Sequence, residues 1–214
     1  MNLKAYTTLS HEGNGEFIVN KSRFIGYGCP CDTEDKAFSF LSSIRTMHKD
    51  ASHNCYAYII GKNAGIMRYS DDGEPGGTAG LPIISVMKSH GIVNAAVVVT
   101  RYFGGVLLGT GGLVRAYTQG CLTALNASEI VIMRKSSRWL IEVDYSTWQR
   151  LEYYLKNAAC LVLDTQYSTT VIATVMIETE NEMTMINEVN RVSDGKAEFL
   201  LEENLYYPWP VRAS

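Results

Sequence analysis

Glycine constrains this chain more than any other residue, because its distribution is so uneven. Of 18 glycines, 17 lie at or before Gly120, and Gly195 alone follows. Glycine tolerates positive φ and leaves room for a neighbouring backbone, so a glycine-dense half implies tight turns and close contacts. Charge shifts at nearly the same place. Residues 1–134 carry 12 basic and 10 acidic side chains, whereas residues 135–214 carry 7 and 12. The chain therefore reads as two domains, 1–134 and 135–214, meeting at the polar run Arg134-Lys135-Ser136-Ser137-Arg138. A length of 214 residues accommodates two such units, each with a core of its own.

Several classes are excluded early. Apolar residues at 46% and charged residues at 19% are the balance of a folded protein. Runs such as Ala95–Val99 fall far short of the ~20 apolar residues that cross a bilayer, so no membrane span is expected. The opening MNLKAYTTLS has no apolar core of a secretory leader, and five scattered cysteines do not make a disulfide framework. The expectation is a cytoplasmic protein with reduced thiols. A formal net charge of −3 does not mark a nucleic-acid binder, and sequence-specific DNA readout is not expected.

In the second half, Trp139–Tyr145 alternates as a strand, and Ser146 or Thr147 is placed to cap a helix carrying Trp148, Leu151, Leu155 and Ala158. Strands follow at Leu161–Tyr167 and Thr170–Glu178, then a helix over Glu180–Val192 ending at Asp194-Gly195, then a strand at Ala197–Glu202. The order β-α-β-β-α-β is the split arrangement of a ferredoxin-like domain. The first half reads as α+β. Strands are expected at Arg23–Cys31, His53–Ile60, Ile66–Ser70 and Val93–Thr100, the last covered on both faces. Helices are expected near Glu34–His48, over Leu81–His90 with Thr78 as cap and Gly91 as terminator, and from a Thr110 cap through Leu125.

Chemistry concentrates in two segments, Ser70–Gly80 and Thr100–Arg115, where a strand runs through glycines into a helix start. Helix starts present unpaired N–H groups and partial positive charge, so Thr78 and the run Gly109-Thr110-Gly111-Gly112, with Arg23, Arg101 and Arg115, form a candidate phosphate or nucleic-acid site. Tight turns and close helix–sheet packing account for the same glycines. Asp71, Asp72 and Glu74 form a candidate acidic site. They serve equally as helix caps, as a general base, or as carboxylates bridging Mg²⁺ to a phosphate. His48, His53, Cys55, Cys29 and Cys31 lack the paired knuckles of structural zinc, and no G-x-S-x-G marks a hydrolase. Lys21, Arg23, Arg68, Arg101 and Arg115 are interleaved with Phe24, Tyr69, Tyr102, Phe103 and Tyr117, a pattern suited to phosphate contact with base stacking.

The blocks Lys21-Ser22-Arg23-Phe24-Ile25-Gly26, His53-Asn54-Cys55-Tyr56-Ala57-Tyr58, Ser70–Gly80 and Val99–Tyr117 resemble, in order, the signature blocks of the IMPACT/YigZ family. The second half is similar to the small domain that bacterial YigZ-type members carry. The resemblance implies a ribosomal protein S5 domain 2-like first domain and a ferredoxin-like second domain, a pair similar to domains IV and V of elongation factor G. It also implies RNA or ribosome binding by a non-catalytic, translation-associated protein. Eukaryotic members regulate translation through an additional N-terminal RWD domain; only about 20 residues precede Lys21, so that role is not expected here. The family's signature residues fall on Arg23, His53, Asp71, Asp72, Glu74, Arg101 and Arg115, without an established catalytic role. Two alternatives remain. One is a Mg²⁺-dependent enzyme acting on a phosphorylated small molecule or nucleotide, since Gly109–Gly112 resembles the ATP loop of S5-like kinases without its serines. The other is a protein-binding regulator acting through the acidic second half.

Overall fold

The computed structural model describes residues 5–211. Ten strands and five α-helices form among these residues, the strands in two antiparallel sheets. The chain divides into two compact units, one built mainly from Tyr6–Met133 and the other from Arg134–Tyr207.

In the N-terminal unit the sheet order is β2 (Gly13–Val19), β3 (Ser22–Pro30), β6 (Ala95–Tyr102), β4 (His53–Ile60), β5 (Ile66–Ser70). Central β6 carries the β-branched run Val97–Thr100, and both of its faces are buried. Ala95, Val97 and Val99 pack with α2 (Gly80–Ser89) and α3 (Gly109–Ala127), while Ala96 and Val98 pack with α1 (Glu34–Met47). Glycine sets the distance between α3 and the sheet. A Cβ on Gly26 would lie 2.1 Å from the carbonyl oxygen of Gly120, and one on Gly120 would lie 2.6 Å from Val99 Cγ1. Only paired glycines let helix and strand backbones approach so closely. Strand β1 (Tyr6–Leu9) pairs with Ile130–Met133, the first residues of β7 (Ile130–Val143).

In the C-terminal unit the chain runs from β7 through α4 (Tyr145–Asn157), β8 (Cys160–Tyr167), β9 (Val171–Glu178), a 3₁₀ turn, α5 (Glu182–Val192) and β10 (Glu198–Pro210). Strand β9 pairs with β7 and β8, and β10 pairs with β7. Leu151, Leu155, Met185 and Val189 from the two helices join Ile141, Val143, Val171, Ala173, Val175 and Ile177 in one core.

Several local expectations are corrected. The strand expected to begin at Trp139 begins earlier, at Ile130, so that Arg134–Arg138 is strand with Ser136 and Ser137 buried. Neither Ser146 nor Thr147 caps α4; Asp144 does, its carboxylate accepting from the Thr147 N–H at 2.7 Å, and hydrogen bonds from the Ser146 hydroxyl first and then from Thr147 hold its pKa down to about 2. Strands β1 and β2 were not anticipated, because short edge strands of this composition carry little apolar periodicity.

Candidate functional site

In the N-terminal unit the segment after β5 folds into a loop around Asp71. One carboxylate oxygen, Oδ1, accepts from the N–H groups of Ala79 and Gly80 at 3.0 and 2.9 Å, and Oδ2 accepts from Gly77 at 2.9 Å. Asp71 thereby satisfies the start of α2, where the negative charge also suits the helix dipole. Thr78 does not cap this helix; its hydroxyl donates to the Pro75 carbonyl instead. Asp72 adopts a positive φ of 44°, accepts from the Asn54 N–H at 2.7 Å and meets Arg45 at 3.3 Å. The chain turns back at Gly73, φ 88°, and delivers Glu74 into the interior.

Glu74 organises a buried polar cluster. Its Oε1 accepts from Arg101 Nη1 at 2.7 Å and from the Tyr117 hydroxyl at 2.6 Å, with His53 Nε2 3.9 Å away. Arg101 is 5% exposed, and its guanidinium lies between the rings of Phe24 and Phe103, 5.5 and 5.4 Å from their centroids. Burial raises the Tyr117 phenol well above its ordinary range and pushes the neighbouring Cys55 thiol up to about 12. His53 donates through Nδ1 to the Asp72 carbonyl at 2.8 Å, which turns Nε2 toward Glu74.

The second glycine-rich segment leads from β6 into α3. Gly104 lies against the Lys21 backbone, where a Cβ would approach within 2.0 Å, and its N–H donates to Ser22 Oγ at 3.2 Å. Gly105 and Gly109 have φ of 82° and 68°, so the turn itself requires them. Helix α3 begins after Leu108 with no side-chain cap and no acid in its first turn; Thr110 lies inside the helix and does not cap it. A cavity of about 510 Å³ opens here. Its polar lining includes His53, Glu74 and Arg101, its apolar lining Phe103, Leu107 and Leu113, and Gly109 and Thr110 bring the start of α3 to it.

The candidate residues thus divide. Glu74, Arg101, Gly109 and Thr110 line one cavity, and Arg115 stands exposed on α3 one turn from Gly111. Arg23 is about half exposed and pairs with Glu16. Arg101 is buried, and its guanidinium is matched to the Glu74 carboxylate inside the protein. Asp71, Asp72 and Glu74 do not fit a Mg²⁺ site: each carboxylate is turned to different N–H or guanidinium donors, and they do not converge. Among the described residues, no group of three or more His, Cys, Asp or Glu side chains is placed to hold a metal ion. Leu107 was missed as a lining residue, and Phe103 and Tyr117 were singled out only as aromatics suited to base stacking. Tyr117 reads as a core position on α3 with Leu113 and Ala116, and nothing local signals that its hydroxyl meets Glu74, 43 residues away.

Among the described residues no helix is long and apolar enough to cross a membrane. Comparison with known proteins matches residues 20–125 to the Impact N-terminal domain and residues 141–196 to a domain of unknown function, DUF1949. The chain is 34% identical to the Bacillus subtilis IMPACT family member YvyE over 95% of its length and 94% of the relative's. It is 34% identical to the Escherichia coli IMPACT family member YigZ, over 74% of this chain and 79% of that one. A solved structure described as a hypothetical protein aligns with a TM-score of 0.59 at 28% identity, covering 94% of this chain and 98% of its own. The signature blocks surround the buried Glu74–Arg101 pair and its cavity, and near-full-length identity extends beyond them: the chain belongs to the IMPACT family.

Proposed function

We propose that this protein is a non-catalytic, translation-associated binding protein that contacts RNA, free or on the ribosome, through its N-terminal unit. Family membership supports the link to translation. The start of α3 carries the RNA reading: a 19-residue helix with an uncapped, acid-free N-terminus beside Arg115. Arg115 is exposed and forms no ion pair among the described residues. Unpaired amides, the positive helix end and an unpartnered guanidinium together suit a phosphodiester backbone.

The domain reading, 1–134 and 135–214, belongs to the same proposal. Strand order β10-β7-β9-β8 with α4 and α5 on one core supports a ferredoxin-like second domain, and the five-stranded first unit supports an S5 domain 2-like fold. Binding of a fluorescein-labelled U-rich RNA to the full chain, followed by anisotropy over a salt series, tests the function. Substituting Arg23→Ala and Arg115→Ala together should weaken binding and lower the salt slope by roughly 0.7 for each phosphate that is no longer neutralised. An unchanged affinity and slope would reject the proposal.

A further inference from the structure

The end of β3 carries two free thiols on one face of its sheet, where Cys29 and Cys31 both pack with α1. The strand stays extended through them. Pro30 pairs with Ala95 of β6, and the Cys31 N–H donates to the Asn94 carbonyl at 2.8 Å. Residues two apart on an extended strand point to the same side, with α-carbons roughly 6.4–6.8 Å apart. That is the long end of the about 4.4–6.8 Å a disulfide spans, so a bridge can close with little backbone movement but under strain. Pro30 stiffens the spacing between the thiols. Its missing N–H removes no ladder hydrogen bond, because that side faces β2, which pairs with β3 only as far as Gly28.

The two thiols are not equivalent. Cys29 is half-buried and opens on a cleft of about 450 Å³, while Cys31 is buried behind it and need be reached only by the Cys29 sulfur. Cys31 donates a hydrogen bond to the Cys29 thiolate, which lowers the Cys29 pKa in spite of partial burial. The same bond, and then burial, keeps the proton on Cys31. An accessible thiolate with a second thiol beside it is the arrangement of an attacking and a resolving cysteine. The other cysteines lack it. Cys55 and Cys121 lie in the core on the opposite face of the sheet, and Cys160 lies in the C-terminal unit.

We propose that Cys29 and Cys31 form a reversible redox switch, closed by exchange with a low-molecular-weight disulfide such as oxidised glutathione. The Cys29 thiolate attacks one sulfur of the small disulfide, whose S–S bond breaks. One half leaves as thiolate and takes a proton from water, and a mixed disulfide remains on Cys29. Cys31 then gives its proton to water, and its sulfur attacks Cys29 Sγ and expels the second half, which is protonated in turn. The protein dithiol is oxidised to a disulfide, and the small disulfide is reduced to its thiols. Strain makes the closed bridge easy to reduce, so an excess of small thiol runs the sequence backward. The switch stands apart from the RNA reading, since none of the residues lining its cleft lines the cavity at the start of α3.

The reduced full chain is incubated without oxygen at about pH 7.5 in mixtures of reduced and oxidised glutathione, quenched with acid, and alkylated with iodoacetamide. Trypsin then releases both cysteines in one peptide, Phe24–Lys36. With oxidised glutathione in excess, that peptide should lack two hydrogens and carry no alkyl group. It should form at least about tenfold faster than any modification of Cys55, Cys121 or Cys160, and revert when reduced glutathione is added in excess. Cys31→Ser, checked for folding by its melting curve, should stop at the glutathione adduct of Cys29. Cys29→Ser, at a half-buried position, should leave Cys31 unmodified and slow thiol loss in this peptide by at least about tenfold. A folded wild-type chain that stops at the mixed disulfide, or that stays reduced at every ratio, would overturn the proposal, as would a bridge to any other cysteine.

Discussion

Arg101 Nη1 lies 2.7 Å from Glu74 Oε1, and both side chains are almost fully withdrawn from solvent. An ion pair in that setting has lost its hydration and is held by geometry and by the Tyr117 hydroxyl on the same oxygen. Removing one partner strands the other charge. Arg101→Met or Glu74→Leu alone should therefore destabilise the fold by about 3–5 kcal/mol, while the double replacement should cost much less than their sum. Urea unfolding of the three variants measures this, and additive losses would refute it.

The three N–H groups gathered by Asp71 predict a cap that acts through its charge. Asp71→Ala should cost about 3 kcal/mol, because several charge-assisted hydrogen bonds disappear at a partly buried helix start. Thr78→Ala, which loses one bond to Pro75, should cost about 1 kcal/mol. By contrast, Thr110→Asp at the acid-free start of α3 should stabilise by roughly 0.3–1 kcal/mol. Thermal melts of the three variants should fall in that order.

Glycine substitutions should separate turn chemistry from close approach. Gly26→Ala drives a methyl into the Gly120 carbonyl and should destabilise by about 3 kcal/mol or more. Gly76→Ala meets nothing within 4 Å and needs no positive φ, so its effect should stay within about 0.5 kcal/mol. Equal effects at the two positions would contradict the packing account.

His48 links stability to pH. Its ring lies between the Tyr27 and Tyr102 hydroxyls, at 2.6 and 2.8 Å, and burial, then the charge of Arg23, lowers its pKa from 6.5. The unfolded chain therefore takes up the proton first, so stability is fully present above about pH 6.5 and is lost as pH falls toward the folded-state value. Replacement by Gln should flatten the fall in melting temperature between about pH 7 and 5.5. An unaltered fall would assign the pH dependence to other groups.

Thiol reactivity should follow burial and hydrogen bonding. Burial raises Cys55 to about 12 and Cys160 to about 11, and raises Cys121 further. Cys29, half-buried, is lowered chiefly by a hydrogen bond from Cys31. Iodoacetamide at about pH 8 should alkylate Cys29 first in the native protein, as peptide mass mapping will show. Preferential labelling of Cys55 would contradict the structure.

Much of the scaffold was legible in local pattern. The run His53–Ile60 is a strand and Ile66–Ser70 is its partner. Gly91 ends α2 with φ 65°, as an αL terminator should. The burial of β6 on both faces accords with its continuous small and β-branched apolar run Ala95–Val99. Caps were less legible, since Thr78, Thr110 and Ser146 all stand near helix starts and none provides the cap hydrogen bond. A cap needs a side chain of the right reach in the right backbone conformation, and the competing carboxylates of Asp71 and Asp144 held both.

The sequence by itself determined the family, the order of the elements from β3 onward and the concentration of glycines that lets α3 lie against the sheet, because these depend on periodicity and on the absence of side chains. Only the tertiary structure decided what Arg101, Glu74, Tyr117 and His53 do. Their pairing joins strands, loop and helix across tens of residues, and a guanidinium is free or bound only according to which carboxylate the fold brings beside it.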